Sequence, residues 1–213
     1  MKNSVKKVLL FCLAMGLCSA LYAAGAQAAD FSQAQLKQMS TFLSNFTELG
    51  FRDFDVKKDG NDDVLHLGGD PSAPDLIRFG IWHNYVNNYK SRIKPCPTKG
   101  CKYGSLVIDG KYVAESVKKY FGINLKNASV EQSDPPYHFD GSLYHFEGAD
   151  GEAVYYAEVK KATQDGDVVR MTGDLYNAED KNDRPATFEA TAKPYKWNGK
   201  DTWMILSMKT TQR

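Results

Sequence analysis

The chain has 213 residues, with 27 Lys and Arg set against 26 Asp and Glu and a formal charge of +1. So even a balance gives no electrostatic reason to expect binding to nucleic acid or to an anionic membrane surface. The length suits one domain with its own hydrophobic core.

Lys2, Lys6 and Lys7 open the chain, an apolar run follows from Val8 to Ala24, and the small residues of Ala26-Gln27-Ala28 come next. That is the three-part layout of a secretory signal. Gly16 and Ser19 interrupt the run and Gly25 closes it, whereas a membrane anchor needs about 20 predominantly apolar residues. The spacing therefore predicts a signal over residues 1–28, cut between Ala28 and Ala29, with no membrane anchor left afterwards. Cys12 and Cys18 follow Phe11 and Leu17, where a lipoprotein signal would carry a small residue, so acylation is not expected. The mature chain, 29–213, loses three lysines and no acid, which leaves 24 basic residues against 26 acidic ones and a formal charge of −2. Its expected location is periplasmic or secreted.

Ser32 with Gln35 reads as a capping box, and Leu36, Met39, Leu43 and Phe46 fall at helical spacing behind it, which predicts a helix over 32–46. Seven aspartates and the pairs Asp59-Gly60 and Gly68-Gly69 make 52–75 a loop with one short strand near 64–67. Asp55, Asp59, Asp62 and Asp63 resemble a calcium loop in their spacing. Lys57 and Lys58 interrupt them, however, and His66 stands where the bidentate Glu of an EF-hand would be, so the stretch reads as a solvated acidic loop. Pro74 opens a second helix to about Lys90 with apolar residues on several sides, as an enclosed helix requires. His83 lies on it and reads as a buried, hydrogen-bonded core histidine.

Cys96 and Cys101 are the only cysteines of the mature chain, spaced Cys-x4-Cys in a loop with Pro97 and Gly100. In an oxidising compartment a loop that short predicts a local disulfide between them. The spacing is neither the Cys-x-x-Cys of thiol oxidoreductases nor half of a four-cysteine zinc site. A strand over 105–108, a turn at Asp109-Gly110 and a third helix over 112–121 ending at Gly122 come next. From Tyr137 the period changes to two, with strands expected at 137–139, 142–147, 153–163, 167–177, 187–196 and 202–211. Tight turns are expected at Asp140-Gly141, Asp165-Gly166 and Asn198-Gly199. The last strand carries apolar residues on both faces and should lie inside the sheet.

Helices first and antiparallel strands afterwards define an α+β domain, with three N-terminal helices packed on a C-terminal antiparallel sheet. In element order alone this is similar to the cone-shaped architecture of nuclear transport factor 2-like (NTF2-like) and cystatin-like domains. That resemblance implies a fold and no activity.

One internal echo carries chemistry: Tyr137-His138-Phe139-Asp140 and Tyr144-His145-Phe146-Glu147. With Asp140-Gly141 as a two-residue turn, the four aromatics share one face, and His138, His145 and Glu147 share the other. The two imidazoles would sit diagonally, within reach of one ligand. Two imidazoles and a carboxylate suit a divalent metal or an acid/base set. The same alternation also arises when an aromatic row packs inward and a polar row faces water. The sequence holds no nucleophile elbow and no phosphate or dinucleotide loop, and it calls for no cofactor. The expectation is a non-enzymatic exported binding or interaction module with a concave site for a small molecule, a peptide or an envelope protein. The alternatives are an exported enzyme using a histidine acid/base or metal site in a sheet pocket, and a structural or inhibitory envelope partner.

Overall fold

The computed structural model describes residues 31–56, 65–68, 70–87, 91–133, 136–148 and 154–213. The signal with its Ala28–Ala29 cut and the aspartates Asp59, Asp62 and Asp63 lie outside the described residues.

Helix α1 (Gln33–Thr47) opens with the expected reciprocal cap: Ser32 Oγ accepts the Gln35 N–H at 3.4 Å, and Gln35 Oε1 accepts the Ser32 N–H at 2.9 Å. Leu36, Met39, Phe42, Leu43 and Phe46 form its buried stripe. Beside that stripe lies a second one, of hydroxyls, which meets the outer edge of strand β7 (Tyr155–Asp165). Ser40 Oγ accepts the Val159 N–H at 2.9 Å, Ser44 Oγ accepts the Ala157 N–H at 3.1 Å, and Thr47 Oγ1 donates to the Tyr155 carbonyl at 2.7 Å. Three to four helical residues rise about 4.5–6 Å and two strand residues about 6.7 Å, so side chains three or four apart on the helix meet every second residue of the strand. An edge that would otherwise present bare peptide groups is thereby closed.

Helix α2 (Pro74–Val86) is enclosed, as its pattern predicts, because it serves two cores. Leu76 and Phe79 join one; Ile77 and Ile81 join the other. Helix α3 (Gly110–Phe121) follows strand β4 (Leu106–Asp109) without the turn expected at Asp109-Gly110. The Asp109 carboxylate accepts the Lys111 N–H at 2.8 Å, so the pair starts the helix directly. Gly122 closes it in the left-handed conformation, φ 70°.

Among the described residues the fold is α+β with two sheets, where the sequence suggests one. The larger runs in the order β2 (Leu65–His66), β1 (Phe54–Asp55), β10 (Lys200–Gln212), β9 (Ala186–Trp197), β8 (Val168–Asn177), β7, antiparallel except for β1 and β2. Asn198 (φ 49°) and Gly199 (φ 78°) make the β9–β10 turn and set Trp197 against Lys200 and Tyr195 against Thr202, the register their type predicts. Strand β10 has neighbours on both sides, with β1 pairing at Ser207 and Met208. The core of this part gathers Phe46, Phe79 and Phe121 from the helices with Phe188, Ile205 and Met208 from the sheet.

The smaller sheet runs β3 (Ile93–Pro95), β4, β6 (Leu143–Phe146), β5 (His138–Phe139). Ile108, Tyr144 and Phe146 pack from it onto Ile77, Ile81 and Val113 of α2 and α3. This buries one face and leaves the other to carry the site.

Candidate functional site

The free face of the smaller sheet is defined by register. Lys94, Val107, His145 and His138 stand side by side across its four strands. The β5–β6 turn is shifted by one residue from the expected Asp140-Gly141. His138 pairs with His145 and Phe139 with Tyr144, so Gly141 and Ser142 form the turn. The reason is local: the Asp140 carboxylate accepts the N–H groups of Ser142 (2.9 Å) and Leu143 (2.7 Å), folding the chain around its own side chain, while Gly141 takes φ 101°. The aromatic row still faces the core as expected. The two histidines, however, are directly opposite one another instead of diagonal, with ring centroids 5.9 Å apart.

The middle of the polar row does not face water, because the loop 96–105 between β3 and β4 folds over His145, while His138 is half-buried and Glu147 stays exposed. The loop is pinned at its base. The Cys96 N–H donates to the Ser105 carbonyl at 2.7 Å, and the Ser105 N–H and hydroxyl both donate to Glu147, at 2.8 and 2.7 Å. Gly104, at φ 130°, presses on the backbone of β6; a Cβ there would lie 2.2 Å from the Phe146 carbonyl. Tyr103 stacks on the His138 ring at 3.7 Å, 9° from parallel. His145 is left 7% exposed.

Under this loop Cys96 Sγ and Cys101 Sγ each lie 3.5 Å from His145 Nδ1. The expected disulfide is not formed: both residues are thiols, with the sulfurs 3.6 Å apart. The fold brings them to an imidazole more than forty positions downstream, and the three ligand atoms all lie within 4.8 Å of one another. On its other side, His145 Nε2 is 3.0 Å from Asp140 Oδ2.

Of the three residues that the sequence grouped as a ligand set, only His145 enters this cluster. Glu147 is spent on Ser105 and holds the loop base, and His138 is stacked on Tyr103 with Glu131 3.7 Å from its Nδ1. The missed partners are the cysteines, which their sequence spacing assigns to each other.

The hydrogen bond to His145, followed by the Leu143 and Ser142 N–H groups, holds the Asp140 carboxyl down at about 2. Burial works against the charged form of His145, but its bonds to Asp140 and Cys101 outweigh that and move its pKa above the ordinary imidazole value. The Tyr103 N–H, with smaller help from Cys96 and His145, draws the Cys101 thiol below its usual value despite the cost of burial.

Elsewhere, His83 is a core residue as its position predicts: 2% exposed, its Nδ1 3.2 Å from Asn87 Nδ2. A groove of about 470 Å³ runs between α1 and β7, lined by Leu36, Lys37, Ser40, Glu158, Lys160 and Tyr176. Two others, of about 350 and 320 Å³, lie at the β9–β10 turn and further along α1. No histidine or cysteine lines any of these three. Neither a protein-family model, nor a curated protein, nor a solved structure matches this chain.

Proposed function

We propose that the chain from Ala29 onward is an exported, non-enzymatic binding module. Its ligand is a divalent metal ion of borderline softness, zinc being the reference, held by Cys96 Sγ, Cys101 Sγ and His145 Nδ1. One observation carries this. A tetrahedral zinc ion with bonds of about 2.3 Å to sulfur and 2.0–2.1 Å to nitrogen separates its ligand sulfurs by about 3.8 Å and sulfur from nitrogen by about 3.5 Å. The corresponding distances here are 3.6 Å and 3.5 Å twice. Asp140 on the far ring nitrogen is the usual outer partner of a ligating histidine, fixing its tautomer and ring plane. Thiolate and imidazole together favour zinc-class ions over magnesium or calcium, which take oxygen. The cone-shaped, NTF2-like or cystatin-like frame is a reading of element order, and the metal site does not depend on it.

A second reading, an exported metal-dependent hydrolase, draws on the same ligand count. Three protein ligands leave a fourth position for water, whose pKa a zinc ion lowers to about 7. The three grooves described above lie away from the cluster.

The test is calorimetric titration of the purified, reduced protein with zinc. One ion should bind per chain, and Cys96→Ser or His145→Ala should each weaken binding at least tenfold. A reduced protein that takes up no zinc, or that binds it equally well in both variants, refutes the reading.

A further inference from the structure

We infer that metal binding at this site is gated by oxidation: Cys96 and Cys101 serve either as ligands to the ion or as the two halves of a disulfide, and formation of the bond expels the ion. The inference rests on the metal-binding reading and adds its regulation.

Three features of the loop carry it. Both sulfur ligands belong to one Cys-x4-Cys segment and are 3.6 Å apart, so an S–S bond of about 2.05 Å needs the sulfurs to close by about 1.5 Å. The turn between them can accommodate that shift, with Gly100 at φ 68° and the Cys101 N–H on the Thr98 carbonyl at 3.2 Å. The loop base, by contrast, is held without the sulfurs, through Ser105 to Glu147 and through Gly104 against Phe146. The platform beneath the loop therefore persists in either state. His145 keeps its bond to Asp140 as well. Oxidation thus removes two of three protein ligands in one step, and a single imidazole cannot retain the ion. Both cysteines are partly exposed, which lets a small oxidant reach them.

The oxidant is a low-molecular-weight disulfide, a class that undergoes exchange with accessible cysteine thiolates. One cysteine thiolate attacks the oxidant's S–S bond, which breaks as a mixed disulfide forms and one thiolate leaves. The second cysteine thiolate then attacks the mixed disulfide, forming the Cys96–Cys101 bond and releasing the second small thiolate. Two electrons pass from the cysteine pair to the oxidant, the two released thiolates take protons from water, and the metal ion departs as the aquo ion.

The experiment uses purified protein loaded with zinc under reducing conditions, then freed of reductant and titrated with oxidised glutathione. Free zinc is followed with a chromogenic chelator, and the bond is mapped by peptide mass to Cys96 and Cys101. The expected result is loss of one zinc ion per Cys96–Cys101 bond formed, with an unchanged far-ultraviolet circular dichroism spectrum, and recovery of zinc binding after dithiothreitol. Zinc retained by the disulfide form overturns the gating while leaving the metal site standing. So does a stable glutathione adduct on one cysteine in which the pair never closes. Failure of the reduced protein to bind zinc at all sinks both proposals.

Discussion

Lowering the pH from 7 to 5 should destabilise this fold through His83, and the amount follows from where that ring sits. The imidazole stacks on Phe79 (5.5 Å, 3°) and meets Tyr120 edge-on (4.7 Å) inside the larger core. Asn87 Nδ2 can only donate, so Nδ1 accepts and the neutral ring is the form this packing holds. Burial first, then the positive charges of Lys119 and Arg92, lower its pKa from 6.5 to about 3. A folded-state pKa below the unfolded value means that only the unfolded chain takes up a proton as the pH falls. The stability is fully present above about 6.5 and drains away towards 3. Each pH unit inside that window is worth about 1.4 kcal/mol, so the 1.5 units between 6.5 and 5 cost about 2 kcal/mol. His145, whose pKa is raised, acts in the opposite sense but above 6.5, where its stabilisation is lost as the pH rises, and Glu48, whose carboxyl burial raises, acts in the opposite sense towards lower pH. The His83 contribution is therefore isolated by difference. Urea unfolding of the wild type and of His83→Gln, with a chelator present, should show the wild type losing about 2 kcal/mol more than the variant between pH 7 and 5. Parallel stability curves for the two proteins would refute the argument.

Three further outcomes follow from the geometry. Ser40→Ala and Ser44→Ala each strip the acceptor from a β7 N–H at the covered sheet edge. Each should cost about 1–3 kcal/mol in urea unfolding, less a few tenths returned by alanine's helix propensity. Asp140→Asn removes the carboxylate behind His145 without changing a proposed metal ligand, and zinc affinity measured by calorimetry should fall about 10–100-fold. Gly104→Ala puts a methyl group into the Phe146 backbone at a φ that only glycine holds without strain. It should cost at least about 1–3 kcal/mol and should lift the loop from His145, seen as loss of zinc binding.

Where local rules act alone, the sequence sufficed. The Ser32–Gln35 cap, the Gly122 stop and the Asn198-Gly199 turn each depend on a few consecutive residues, and each was legible as such. The period-two run likewise gave the long strands β7 to β10 and the inward row of Tyr144 and Phe146, because alternation is a property of the strand itself. Three features needed the tertiary structure. Strand β3 was hidden because Ile93–Pro95 reads as loop and becomes strand only by pairing with β4, which also splits the β-structure into two sheets. The Asp140 side chain captured two amides and moved a register that dipeptide statistics place one residue earlier. The site depended on both: β4 pairs with β3 on one side and β6 on the other, which carries the 96–105 loop over His145. Sequence spacing relates Cys96 only to Cys101, since four residues lie between them and no periodicity spans the forty-nine positions to His145. Their meeting with His145 is a consequence of strand order, a long-range contact that no local pattern encodes.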